Sequence, residues 1–437
     1  MFKYFPHTEK DIQEMLLKIG VKTLDDLFLD VPEKLKRPDY QVPNAMSELE
    51  LRRHFNDIVK GNKELIIFRG AGAYDHYTPS IIPQLVRREE FLTAYTPYQP
   101  EIAQGTLQYI FEFQSMITDL TGMDVTNASM YDGSTAAAEA MFMAVAQTKK
   151  QKILVSNTVF NHVLEVVKTY AFYRNIEVVL VNEKEGITDI DDLKQKSIDS
   201  AGFISQVPNK YGIIEDITPL SMVIKEASGL SIIHADPQVL SVIKSPREMG
   251  ADIACGECQT LGVPLSFGGA YIGYLATTDK LLRKMPGRIC GITNDVDGKR
   301  GFVLTLQARE QHIRREKANS NICSNQSLMA LWVTIYLSIM GKKGLEEVND
   351  HCYTNSHYLE EKLLETKLFK RVYQGFFLKE FLLETTLDID KLETYLIKKG
   401  FLSGLKVSEN KILFSATEKR TRQEIDAFVE AIRGFSK

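Results

Sequence analysis

The chain has 437 residues, of which 44% are hydrophobic and 25% charged, with a formal net charge of −4 and five cysteines. That is the composition of an ordinary globular protein with room for two or three domains. The slightly acidic balance gives no electrostatic reason to expect nucleic acid, and without a run of about 18 apolar residues no membrane span is expected. The first residues, MFKYFPHTEKDIQEM, lack the apolar core and small-residue cleavage site of a secretory signal. An odd number of cysteines in so long a chain suits reduced thiols, so a cytoplasmic protein is expected.

In chain order, Thr8 is placed to cap a short helix over Glu9–Ile19 that stops at Gly20, and Thr23 opens another that ends before Pro32. Ser47 and Glu50 have capping-box spacing ahead of an amphipathic stretch reaching about Lys60. These short helices bury little alone, so residues 1–62 are expected to form a helical arm. Residues 64–105 are rich in Tyr, Pro and Gly and follow no clean period, which in a compact protein usually marks a functional or interface segment. Within them Tyr95, Tyr98 and Glu101 lie on a proline-stiffened backbone (YTPYQPE), which would serve equally as a rigid turn before the helix that follows.

A long helix then runs to Gly122, and an Ala-rich helix follows Asp132-Gly133-Ser134-Thr135. Beyond it, short apolar runs at 154–159, 177–181, 202–207 and 230–236 alternate with helical spacers near 162–173, 190–198, 219–227 and 237–243. This alternation predicts an α/β fold with a mainly parallel sheet wrapped by helices over residues 63–326. Residues 327–437 read as linker helices, 328–341 and 345–367, followed by a small α+β domain. Its strands are expected near Val372, 381–385, 405–407 and 412–415, and its helices at 388–400 and 421–434.

Several groups have chemical potential. Asp132 to Thr135 open a helix, where free N–H groups, hydroxyls and the dipole form an anion cup; the same residues are also ordinary N-caps. Asp236 ends a strand at the sheet edge where open α/β folds bind ligands, positioned either to hold a pyridinium nitrogen or to cap the next helix. His162 begins a helix and would stack on a ring or simply pack. Cys255 and Cys258 match C-x-x-C but have neither the setting of a redox pair nor a second pair for zinc, so no metal is expected. Charged residues from Arg309 to Lys317 precede a polar segment holding Asn321, Ser324 and Asn325, whose amides and hydroxyl would suit a phosphate across a subunit boundary.

The stretch Gly250 to Gly273 (GADIACGECQTLGVPLSFGGAYIG) sits where one class of α/β enzymes keeps a lysine for pyridoxal phosphate, yet no lysine lies between Lys244 and Lys280. Together with YTPYQPE (95–101), YDGSTA (131–136), GECQTLGVP (256–264), SFGG (266–269) and REQHIRREK (309–317), it resembles the glycine cleavage system P-protein family over essentially the whole length. The match is best to the alpha chain of its split bacterial form. The resemblance implies the pyridoxal-phosphate fold type I. It implies a beta subunit that holds the cofactor covalently, an alpha2beta2 assembly, glycine as substrate and a lipoylated H-protein as acceptor. Aligned on Pro264, the lysine-equivalent residue is Gln259, and Asp132, Gly133, Ser134, Thr135 and Asp236 become remnants of a cofactor site. Tyr95, Tyr98 and Glu101 would be lent to the shared site, and Asn321, Ser324 and Asn325 would approach the partner's phosphate. Two other readings stand beside this one: a self-sufficient homodimeric pyridoxal-phosphate lyase or aminotransferase, which needs a lysine elsewhere at the sheet edge, and a non-catalytic structural homodimer of the same fold.

Overall fold

The computed structural model describes residues 6–36, 42–307, 311–318 and 320–435. The chain forms two compact units, 1–63 and 64–437. In the first, Thr8 and Asp11 close a capping box on the helix Glu9–Ile19, and Gly20 ends it in a left-handed conformation with φ of 92°. Thr23 caps only a 3₁₀ turn, Leu24–Phe28, while Ser47 and Glu50 box the helix Glu48–Val59.

The second unit is built on a seven-stranded sheet. Its order is 125–126, 273–277, 253–257, 230–235, 202–207, 152–156, 177–181. The strands from 253–257 to 177–181 pair in parallel, whereas Gly273–Thr277 runs antiparallel to both of its neighbours. Side chains alternate strictly between two cores. Leu154, Phe203, Ile233, Ala254 and Tyr274 point into one, and Ile153, Ile204, Ile232, Cys255 and Leu275 into the other. Both faces are covered, so Gly202–Val207 is buried at every position, its polar Ser205 and Gln206 included.

The Ala-rich helix Gly133–Thr148 fits this arrangement because its small side chains allow close approach. Ala136, Ala137, Ala138, Ala140 and Ala144 are all fully buried. Its N-terminus is pressed onto the sheet edge: a Cβ on Gly273 would lie 2.2 Å from the Asp132 carbonyl oxygen, and one on Gly133 would lie 2.8 Å from the Glu257 nitrogen.

The two expected linker helices form one span, Ser327–Glu365, broken at Gly341, where φ is 56° and ψ −173°. This helix is long and apolar enough to cross a membrane by length and composition. Here its apolar half is packed against the helices Ile81–Val86 and Gln104–Thr121, with Ala330, Val333, Tyr336 and Leu337 in the core. The C-terminal sheet is antiparallel, in the order 369–371, 380–385, 411–415, 405–408, with the helices Ile389–Lys398 and Arg422–Phe435 on its core. Residues 66–68, counted above with the large domain, belong to this core: Ile66–Ile67 pairs with Phe401–Leu402, and Phe68 stacks on Phe428 at 4.1 Å. The helix expected near 237–243 is only a 3₁₀ turn, Val239–Ser241, and the hairpin Ile289–Asn294 with Arg300–Thr305 was not anticipated.

Candidate functional site

Two groups of the sequence-selected residues come together in separate places. In the first, Ser324 Oγ donates to the Tyr95 phenol oxygen at 3.0 Å, joining the 95–101 loop to the 321–326 segment. That segment is fastened to the core by Asn325 Nδ2 donating to Ala128 O at 3.1 Å and by Gln326 N donating to Ser129 Oγ at 3.0 Å. Tyr98 lies over the Arg288 guanidinium, 5.3 Å from ring centre to Cζ, and accepts a hydrogen bond from Arg288 Nη2 at 3.3 Å. His312 meets the Tyr98 ring edge-on. Tyr95 remains 86% exposed and Tyr98 46%, and Glu101 and Asn321 are exposed as well. The patch is therefore preassembled and faces outward. The burial on which a proton-transfer role for Glu101 depends has to come from another surface. Arg309, Glu310 and Asn319 lie outside the described residues.

The second group surrounds a cavity at the carboxyl edge of the sheet. Asp132 caps the Ala-rich helix: its Oδ1 accepts from the Thr135 nitrogen at 2.7 Å and from Thr135 Oγ1 at 3.0 Å. The first N–H of that helix, on Gly133, donates to Glu257 Oε2 at 3.0 Å, while Glu257 Oε1 accepts from the nitrogens of Gln259 and Ile272. The anion cup expected at residues 132–135 is thus already occupied by two carboxyl groups of the chain itself. Burial, reinforced by Asp132, pushes the Glu257 carboxyl up to about 8.

Asp236 is also engaged. Its Oδ1 accepts from Thr260 Oγ1 at 2.7 Å and from the Gln238 nitrogen at 3.0 Å, and its Oδ2 lies 2.6 Å from the Lys379 ammonium. Burial opposes ionisation of Asp236, but Lys379 and Thr260 outweigh it and hold the carboxyl below its ordinary value. Lys379, 2% exposed, spends its other donors on His76 Nε2 and Gln238 Oε1, both at 3.1 Å, beneath the Tyr74 ring. Because His76 Nε2 accepts, its proton is assigned to Nδ1, which donates to Glu418 Oε2 at 2.7 Å. Despite burial, contact with His76 brings the Glu418 carboxyl down to about 2.

Gln259 does not reach the cavity. Its amide pairs reciprocally with the Tyr74 backbone, at 2.8 Å as acceptor and 2.9 Å as donor, and also donates to Val263 O at 2.7 Å. The residue beside it, Thr260, lines the cavity instead. His162 stacks on Phe160 at 5.2 Å on the cavity wall. Cys255 and Cys258 are fully buried and point into opposite cores, so they cannot act as a pair. His76, Cys352 and Glu418 could meet at one metal ion by distance alone. However, His76 and Glu418 are bonded to each other, burial pushes the Cys352 thiol well up, and an ammonium lies against the imidazole. Glu257, Lys379, His76 and Arg288 were not selected from the sequence. The one available signal was Lys379-Glu380 interrupting an apolar run.

The family model for the glycine cleavage system P-protein matches residues 2–432. The chain belongs to the glycine cleavage system P-protein family. Relatives described as probable glycine dehydrogenase (decarboxylating) subunit 1 are 48% identical in Moorella thermoacetica and 46% identical in Carboxydothermus hydrogenoformans. Each alignment covers 99% of both chains. The crystal structure of glycine decarboxylase (P-protein) of the glycine cleavage system, in inhibitor-bound form, superposes with a TM-score of 0.90 at 37% identity, over 99% of this chain and 100% of that one. Glutamate decarboxylase of Lactobacillus brevis shares the fold alone, with a TM-score of 0.70 at 14% identity over 93% of this chain and 97% of that one. The expected fold type I architecture of pyridoxal-phosphate enzymes is borne out for this P-protein chain.

The cofactor of that fold does not fit the residues present. The groups that the sequence assigned to holding it are engaged within the chain: the Gln259 amide with backbone, the Gly133 N–H with Glu257, and Asp236 with Lys379.

Proposed function

We propose that this chain is the alpha subunit of a two-chain glycine decarboxylase, pairing with a beta subunit that carries pyridoxal phosphate in an alpha2beta2 enzyme. The assembly removes CO2 from glycine and passes the aminomethyl group to the oxidised lipoyl disulfide of H-protein. The cofactor, when bound by the partner, supplies the electron sink for loss of the carboxylate. This chain supplies surface. Tyr95 and Tyr98 orient the substrate, Asn321, Ser324 and Asn325 present donors to the partner's phosphate, and Glu101, once covered, moves a proton. Water exclusion at the closed seam favours both steps. Five unpaired thiols, four of them buried, support a cytoplasmic setting.

The observation that carries this reading is that all three anchor points for a cofactor are spent internally, while the Tyr95–Ser324 patch is preformed and exposed. One further observation bears on the self-sufficient alternative. Lys379 is one lysine held near the sheet edge where such an enzyme needs one, but its ammonium is fully coordinated by Asp236, His76 and Gln238. Glycine–bicarbonate exchange decides. The purified chain is expected to be inactive, and exchange should appear on titration with a beta-type partner and saturate near one to one. Exchange by the chain alone, or none in the mixture, would reject the assignment.

A further inference from the structure

The cavity between the Ala-rich helix and the strand ends has a volume of about 380 Å³. Three carboxyl groups line it, those of Asp132, Glu257 and Asp236, and among the described residues no lysine or arginine does. Lys379 cancels Asp236 from behind. The cap bonds of Asp132 use Oδ1 alone, which leaves Oδ2 for a ligand. Among small residues, the rest of the wall carries the aromatic rings of Tyr131, Phe160 and Tyr271, with His162 stacked on Phe160. His234 also lines the cavity. It is 6% exposed, and neither ring nitrogen has a hydrogen-bond partner. A buried polar side chain normally has a partner, so an imidazole aimed into a cavity with both nitrogens unused points to a missing one. Burial, with His162 nearby, brings its pKa down to about 4, so the ring is neutral near pH 7 and does not repel a cation.

Glu257, pushed up to about 8, holds its proton near pH 7, and Asp236 is balanced by Lys379, so the negative charge of the wall rests on Asp132 and, beside aromatic faces, favours a cation over an anion. We propose that this cavity binds a compact organic ammonium ion, with its charge on Asp132, its N–H on His234 and its body against Tyr131, Phe160 and Tyr271. This inference goes beyond the function proposed above and does not depend on it.

Titration calorimetry on the full chain tests it with three probes of similar shape and different charge: benzylammonium, benzyl alcohol and benzoate. Benzylammonium is expected to bind saturably and at least tenfold more tightly than benzyl alcohol, and benzoate and inorganic phosphate should not bind. Asp132→Asn, which retains a capping oxygen, and His234→Phe, which keeps a ring without its nitrogens, should each weaken benzylammonium at least tenfold. If Asp132→Asn does not fold, Asp132→Ser, which also caps a helix, carries the same expectation. Absence of saturable benzylammonium binding, equal binding of benzoate or phosphate, or unchanged affinity in these variants would overturn the proposal.

Discussion

At the scale of single residues, the decisive group is Lys379. A buried ammonium is tolerable only when every donor is used and a carboxylate balances it, and Asp236, His76 and Gln238 meet both conditions. Lys379→Met should therefore destabilise the chain by about 3–5 kcal/mol, because Asp236 is left buried and unpaired. Adding Asp236→Asn should recover a large part of that loss, as measured by urea unfolding of both single variants and the double. A strictly additive double variant would mean that the pair is not coupled. Glu257 gives a second residue-scale expectation. Its folded pKa, about 8, lies above the ordinary 4.5, so in between the folded state holds a proton that the unfolded state has lost. The associated stability is fully present below the ordinary value and is lost as pH rises through about 8. Glu257→Gln should remove this part of the slope, so unfolding midpoints of the wild type should fall relative to the variant between about pH 5 and pH 8. Parallel midpoints across that range would contradict the burial argument.

At the scale of elements, the critical contact is the Ala-rich helix pressing its N-terminus onto the strand Gly273–Thr277. A Cβ at Gly273 would meet the backbone of Asp132, which cannot swing aside as a long side chain can. Gly273→Ala should thus cost about 2–3 kcal/mol in chemical denaturation, whereas alanine at Gly298, where nothing lies within 4 Å but φ is +78°, should cost less. The same contrast explains which elements the sequence reveals. The strands 177–181 and 202–207 are legible because short β-rich runs between polar turns leave few alternatives. Capping boxes such as Thr8–Asp11 and Ser47–Glu50 are written in adjacent residues. The antiparallel direction of 273–277 is not legible, since a run buried on both faces carries no sign of direction. The hairpin 289–305 escapes because the last three residues of its first strand, 292–294, are all exposed and show no alternation. Ile66–Ile67 escapes because its partner, Phe401–Leu402, lies more than 300 residues away. In the candidate site, the absence of a lysine between Lys244 and Lys280 is plain from the sequence. The Asp236–Lys379 pair is not, because the two meet only after the C-terminal sheet docks on the large domain.

At the scale of the whole molecule, the exposed patch around Tyr95 and Tyr98 is the surface proposed to meet a partner. Tyr95, 86% exposed, carries the aromatic bulk typical of residues that dominate interfaces. Tyr95→Phe and Glu101→Gln should each lower the turnover of the assembled enzyme about tenfold or more without preventing assembly, read by exchange kinetics beside size-exclusion chromatography. Unchanged rates for both would remove these residues from the shared site. The central claim is that this P-protein chain has filled its own cofactor pocket and works through a partner. Borohydride reduction with pyridoxal phosphate, followed by peptide mapping, tests that most directly. The chain alone should yield no site-specific adduct, and its mixture with the beta-type chain should yield one confined to the partner. An adduct on Lys379, or stoichiometric labelling of any other lysine at the sheet edge of the isolated chain, would contradict the account.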